Sequence, residues 1–420
     1  MMAPKGKKHC VRTLPPDVLN NLPENIVDEI LIRLPLRDAV RTSILSKKWR
    51  YNWCRIPQLT LDQALWKTKK DLTYITSNFT KIIYHILTLH VGPITKFTLC
   101  IPNLEGCPNL DNLMYFLSRN VIKHLVLRLP RGNPYKLPSS FFVCLQLGHL
   151  TLKNCLILPP PTFKGFDRLT SLKLYNVSIS SKLLESLISH SPLLEQLVLQ
   201  ISGLSDIIEI NAPMLRSFDF TGNIRCICFK SIPFLAKLSL TKENYVEEKC
   251  NIAKLFEPLI ALEHLHLNDT FFFAGAGEVP TRLPFNLNFV KHLCISSICL
   301  FVLEEVSFAL CLLRSFPCLQ YVEIKVEAGD GNDIPALECL EVEQFSDVSF
   351  NHLREVKLIR TNGTIREMQL MKLLLAKSPV LVRILIEPCL VEDSATVKIL
   401  AEVKKFQRAS PKAEVVCKLQ

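Results

Sequence analysis

Histidine placement is the first hint of chemistry in this 420-residue chain. His264 and His266 stand two apart, so on a strand both would point to one side and could chelate a metal ion. His124, His149 and His292 occupy matching positions in similar short apolar runs. A neutral imidazole titrates near pH 6.5, so such a row suits catalysis, metal binding or pH sensing. Lys96, Lys173, Lys237, Lys357 and Arg383 share the same slots. No cysteine–carboxylate set completes a metal site beside His264 and His266, so no metal is expected there. The mixture of His with Lys and Arg reads better as a polar ladder facing water or a bound protein.

The 16 cysteines are scattered. Cys226 and Cys228 lie close together but lack a second pair at zinc-ligand distance. RING-type zinc spacing is missing, and no cysteine has an evident basic, exposed setting that would make it a thioester nucleophile. Gly275 and Gly277 are not followed by the Lys-Ser/Thr of a phosphate-binding loop. Neither a Gly-x-Ser-x-Gly elbow nor a His-Glu-x-x-His helix occurs. The expectation is a chain that is not an enzyme, with no cofactor. The first residues carry Lys5, Lys7, Lys8 and Arg12 and no apolar secretory core, so a reducing compartment, nucleus and/or cytoplasm and not secreted, is expected, with free thiols. The greasiest stretch, around 295–303, is stopped by Glu304 and Glu305 and is too short to span a bilayer; no membrane partner is expected.

The elements that must position the His/Lys row are set by leucine. Leu fills 70 of 420 positions, about one in six, while Gly is only 13. That excludes a disordered or collagen-like chain. From residue 90 onward a pattern apolar-x-x-apolar-x-apolar recurs twelve times, for example Leu169-Leu172-Leu174, Leu262-Leu265-Leu267 and Leu381-Ile384-Ile386. The repeats start 20 to 34 residues apart, the spacing of leucine-rich repeats. The last two apolar residues of each triplet face one side of a short strand, and the residues flanking the second face the other. One strand with its return segment cannot bury that face, but parallel stacking of neighbours can. Pro192, Pro213, Pro233, Pro317 and Pro379 sit just before strands, where they block helix continuation. Helical spacing marks 180–189 and 367–377 as return helices.

Net charge is +11, and it is uneven. Residues 1–56 hold 11 Lys/Arg against 5 Asp/Glu, a net of +6. A basic segment attracts nucleic acid, a membrane surface or an acidic protein. Within it, residues 22–57 read as two helices broken at Pro35 and a short third segment carrying Trp53. Ile26, Ile30 and Leu34 form one helical stripe, with Val27 and Leu31 alongside. Val40, Ile44, Leu45 and Trp49 form the apolar side of the second helix. Helices this short cannot hide so many apolar residues from one another. The unit is therefore either a cap on the repeat array or a module with apolar surface left for a partner.

The run LPENIVDEILIRLPLRDAVRTSILSKKWRYNW, from Leu22 to Trp53, closely resembles a plant F-box. The likeness rests on Leu22-Pro23, the helix end at Pro35, Leu36 with Asp38, Ser43, Leu45-Ser46 and Trp49-Arg50. The end of the chain, through 350–357, Ser378-Pro379 and 408–415, resembles the FBD domain. Together with the repeats, the chain resembles the plant F-box/FBD/LRR-repeat family. That resemblance implies an α/β fold: a short N-terminal three-helix F-box at 15–60, a helical linker at 61–90, a curved leucine-rich-repeat solenoid of parallel strands at 91–340, and an FBD segment at 341–420. It implies the substrate-recognition subunit of an SCF-type (Skp1–cullin–F-box) ubiquitin ligase, binding a Skp1-type adaptor and through it a cullin–RING ligase, together with an unidentified substrate protein. The adaptor-binding role falls on Leu22, Pro23, Ile26, Ile30, Leu36, Val40, Ser43, Leu45 and Trp49. The candidate substrate-facing residues are Lys96, His124, His149, Lys173, Lys237, His264, His266, His292 and Lys357. The alternative is a non-ligase repeat scaffold or a nucleic-acid-associated protein. The short Lys5–Lys8 run without aromatic–basic RNA motifs argues against nucleic acid.

Overall fold

The computed structural model describes residues 21–62, 65, 75–101, 110–201, 207–222, 227–242, 252–268, 279–327, 336–389 and 399–418. Lys5, Lys7, Lys8, Cys226, Gly275 and Gly277 lie outside the described residues. The chain divides into two compact units. The first takes residues 1–147 and 151–155; the second takes 148–150 and 156–420.

In the first unit, helix α1 (Glu24–Arg33) follows Pro23, whose carbonyl accepts the amides of Ile26 and Val27, each at 3.1 Å. Proline suits this place because the first-turn amides have no helical partner. Glu24 in the first turn and Arg33 in the last complement the helix dipole. Helix α2 (Leu36–Arg41) starts after Pro35 and is only one and a half turns long; a 3-10 turn, Thr42–Ile44, follows. Strands β1 (Gln58–Leu61), β2 (Lys96–Cys100) and β3 (His124–Arg128) pair in parallel in chain order. Strand β4 (His149–Lys153) lies where the two units divide.

In the second unit the parallel order again follows the chain: β5 (Ser171–Tyr175), β6 (Gln196–Gln200), β7 (Ser217–Gly222), β8 (Lys237–Lys242), β9 (His264–Asn268), β10 (His292–Ile298), β11 (Tyr321–Val326), β12 (Glu355–Thr361), β13 (Arg383–Pro388) and β14 (Glu414–Cys417). Leu172, Leu197, Phe218, Leu238, Leu265, Leu293, Val322, Val356 and Ile384 stand in one register row. Every residue of the twelve triplets is at most 2% exposed. Stacking has therefore buried the face that one strand alone could not bury.

The prolines act through one repeated turn. Leu194, Leu215, Leu235, Leu319 and Leu381 each donate their amide to the carbonyl three residues back, across a Pro at the second position. Proline pre-sets the backbone there and gives up no bond. Two helices settle the expected return segments. Ser180 caps Ser181–Ser189 by accepting the Leu183 amide. The helix Ile365–Lys377 begins earlier than the apolar spacing indicates, because Thr364 and Glu367 form a capping box. Strands β1 and β14 extend the pairing beyond the twelve triplets, one beside β2 and one beside β13.

Candidate functional site

The segment 21–57 sorts its apolar residues into two sets. Val27, Leu31, Leu36, Ala39, Trp49, Trp53, Cys54 and Ile56 are buried. Ile26, Ile30, Val40, Ile44, Leu45 and Tyr51 are exposed, Ile44 at 88% and Tyr51 at 65%. The frame is fixed by polar clamps. Arg55 reaches Asp28 and Glu24 at 3.1 Å each, tying the 3-10 turn Asn52–Arg55 to α1. Lys48 donates to the Leu22 carbonyl at 3.1 Å, and the Ser43 hydroxyl donates to the Arg50 carbonyl at 2.7 Å. Exposed Ile and Leu on short, braced helices are costly in water unless something covers them, roughly 1.5–3 kcal/mol per side chain when buried.

Of the residues expected at the adaptor face, Ile26, Ile30, Val40 and Leu45 have exposed side chains, as does Pro23; Leu22 and Ser43 are half-buried. Leu36 and Trp49 do not belong to the available surface. They are 6% and 2% exposed, held in the core against which the exposed set is displayed. Ile44 and Tyr51 are the most exposed apolar groups of the segment; Ile44 stands on the apolar side of the second helical stretch, and Tyr51 belongs to neither stripe, so no periodicity marks it.

The polar ladder divides between units. In the first unit Lys96 and His124 are register partners on β2 and β3. In the second, Lys237, His264, His292 and Tyr321 stand in one row. The His264 and His292 rings stack at 4.3 Å with 17° between planes. Burial first, then neighbouring charges including Lys237 and Lys291, lowers both imidazoles below their ordinary range, so both are neutral at pH 7. His266 lies in the adjoining row with Lys173 and Lys357 and shares a 2.7 Å hydrogen bond between its Nε2 and the Ser296 hydroxyl. His264 and His266 are thus engaged with different neighbours, and among the described residues no group of three or more His, Cys, Asp or Glu is placed to hold a metal. His149 is exposed on β4.

Lys357 departs from its expected role as a free cation. Its ammonium lies 3.4 Å from Glu387 and 3.9 Å from Glu323, so two carboxylates already neutralise it. Glu323 also accepts the Tyr321 hydroxyl at 2.6 Å and the Cys294 thiol at 3.7 Å. Burial pushes the Cys144, Cys294 and Cys311 thiols up to about 11, the reverse of what nucleophilic sulfur needs. No helix among the described residues is long and apolar enough to cross a membrane.

The sequence matches the F-box domain over residues 19–57 and, over residues 110–324, the family described as FBD-associated F-box protein At5g56370, LRR repeats. F-box/FBD/LRR-repeat protein At1g13570 of Arabidopsis thaliana is 33% identical over 415 residues, covering 96% of this chain and 98% of that one. F-box/LRR-repeat protein At4g14103 of the same plant is 32% identical over 280 residues, 62% of this chain and 72% of that one.

Proposed function

The chain belongs to the plant F-box/FBD/LRR-repeat family, and on that premise we propose that it is the substrate-recognition subunit of an SCF-type ubiquitin ligase. The observation that carries this reading is the exposed set Ile26, Ile30, Val40, Ile44, Leu45 and Tyr51 on a braced two-helix frame. Such a face is an unfilled half of an interface, and a Skp1-type adaptor is the partner that an F-box implies. Lys47 and Arg50 in the same segment are exposed and suit an acidic partner surface. The strand array and the FBD segment at 341–420 then hold the target. The chain's own contribution is proximity, because raising the effective concentration of a target beside a charged ubiquitin carrier is enough to accelerate transfer. The depressed acidity of the buried thiols is consistent with a subunit that forms no thioester.

On the strand face of the second unit, the neutral stacked imidazoles and Lys237 form the part offered to the target, while Lys357 serves to join three strands. The test is reconstitution of the full chain with a purified Skp1-type adaptor and cullin–RING complex. Co-elution of all components supports the reading. A native, folded chain that leaves the adaptor in its own elution peak rejects the ligase role. The rival reading, a scaffold bound to nucleic acid, requires binding to DNA or RNA that weakens steeply with salt.

A further inference from the structure

Within the first unit, the exit ends of β3 and β4 frame a cavity of about 500 Å³. Arg128 ends β3, Lys153 ends β4, and Arg131 follows in the loop after β3; all three line the cavity. Its remaining walls are apolar or backbone: Ile101, Leu129 and Pro130 are buried, and Asn154 closes one side. The volume lies within the roughly 300–1,000 Å³ typical of small-ligand sites.

The pocket is held in shape before anything binds. Asn154 takes a left-handed backbone, φ 59°, and its side-chain amide donates to the Leu129 carbonyl at 2.7 Å. The Leu129 amide donates to the Lys153 carbonyl at 3.2 Å, and the Tyr135 amide donates to the Asn154 carbonyl at 3.1 Å. The Ile101 amide donates to the Arg128 carbonyl at 2.9 Å. The three strand ends around the pocket are therefore bonded to one another.

The charged side chains that line it are all cationic. Arg128 also acts on the Cys100 thiol, and the Asp62 carboxylate that acts on the same thiol is not part of the lining. Among the described residues no carboxylate forms an ion pair with Arg128, Arg131 or Lys153. Lys357, by contrast, has two such carboxylates. Three cations around one cavity repel one another, and an entering dianion relieves that repulsion. Two guanidinium forks with an ammonium suit the tetrahedral oxygens of a phosphate better than a single carboxylate.

We propose that this pocket is an anion site that binds a phosphate monoester, carried on a peptide side chain or on a small organic molecule. The proposal is independent of the ligase reading, because it rests on one unit's pocket and needs no adaptor.

The test uses the full-length chain and inorganic phosphate, read by calorimetry and thermal melting against sodium chloride of equal ionic strength. Phosphate should raise the melting temperature where chloride does not. Arg131→Gln and Lys153→Gln should each weaken phosphate binding about tenfold or more, while their melting without phosphate stays at the native value and Lys357→Gln binds as the native chain does. Competition identifies the carrier: displacement by a phosphoserine peptide but not its unphosphorylated form indicates a peptide, and displacement by glycerol 3-phosphate indicates a small molecule. Either result supports the site. The proposal is overturned if the native chain responds to phosphate no more than to chloride, or if both Gln variants bind phosphate like the native chain.

Discussion

In the strand array every residue of the twelve apolar triplets is at most 2% exposed, whereas in residues 21–57 Ile44 is 88% exposed and Tyr51 65%. Both regions draw on the same residue types. The array stacks strand on strand, so each new strand is the partner that buries the last one's face. The helical segment has two short helices and some 3-10 turns, and its single small core is already filled by Val27, Leu31, Leu36, Trp49 and Trp53. Apolar surface left over in such a segment has no place in that core and stays exposed. The triplet face is closed by the chain's own strands, whereas the outer apolar set of the helical segment stays exposed.

That contrast can be broken first at the buried positions. Leu265→Ala in the array and Trp49→Ala in the helical segment should each cost about 2–5 kcal/mol, read as a lower denaturant midpoint. Trp49→Ala should also lose the adaptor, but by loosening the frame rather than by removing a contact. Ile44→Asp should behave oppositely. At 88% exposure it should leave stability within about 0.5 kcal/mol of native, while adaptor binding falls by about 2 kcal/mol or more, roughly thirtyfold. Equal loss of stability in Ile44→Asp and Trp49→Ala would erase the distinction between the two sets.

Smaller effects sharpen the picture of the array. Thr364 accepts the Glu367 amide at 3.4 Å in the capping box of the helix Ile365–Lys377, and Thr364→Ala should lower stability by about 1 kcal/mol. The smallest effect concerns the stacked pair. His264 and His292 are lowered from 6.5 in the folded chain, so the unfolded chain takes up protons first as pH falls. Stability should therefore decline on acidification through pH 6.5 and be unaffected by this pair above it. Lys237 and Lys291 push the pair down and Glu263 pulls it up, with Tyr321 packed beside His292. His292→Gln should flatten the decline between about pH 7 and pH 5 in chemical unfolding.

The triplets were fully legible in the sequence because a period of two assigns each residue to a face without reference to its neighbours. The recurring Pro turn was legible for a similar reason, being local. Legibility ended where a partner comes from elsewhere in the chain. Lys357 reads as an outward cation, but Glu323 and Glu387 on the adjacent strands claim it. Leu36 and Trp49 have their adaptor role from the resemblance alone, which carries residue types and not which side of the small core each one faces; both are buried. Strands β1 and β14, QLTL and EVVC, are too short to announce themselves and are defined by pairing with β2 and β13. Arg128 and Lys153 sit one residue past the final apolar position of their triplets, a slot whose neighbours only the register of the array reveals.

We propose that the exposed apolar residues of segment 21–57 dock a Skp1-type adaptor. Calorimetry of the full-length chain with purified adaptor, run beside an Ile30→Asp/Ile44→Asp variant of native melting temperature, tests it directly. The native chain should bind saturably, one to one, and the variant should show no measurable binding. Native-like binding by the variant, or no binding by the native chain, would contradict it.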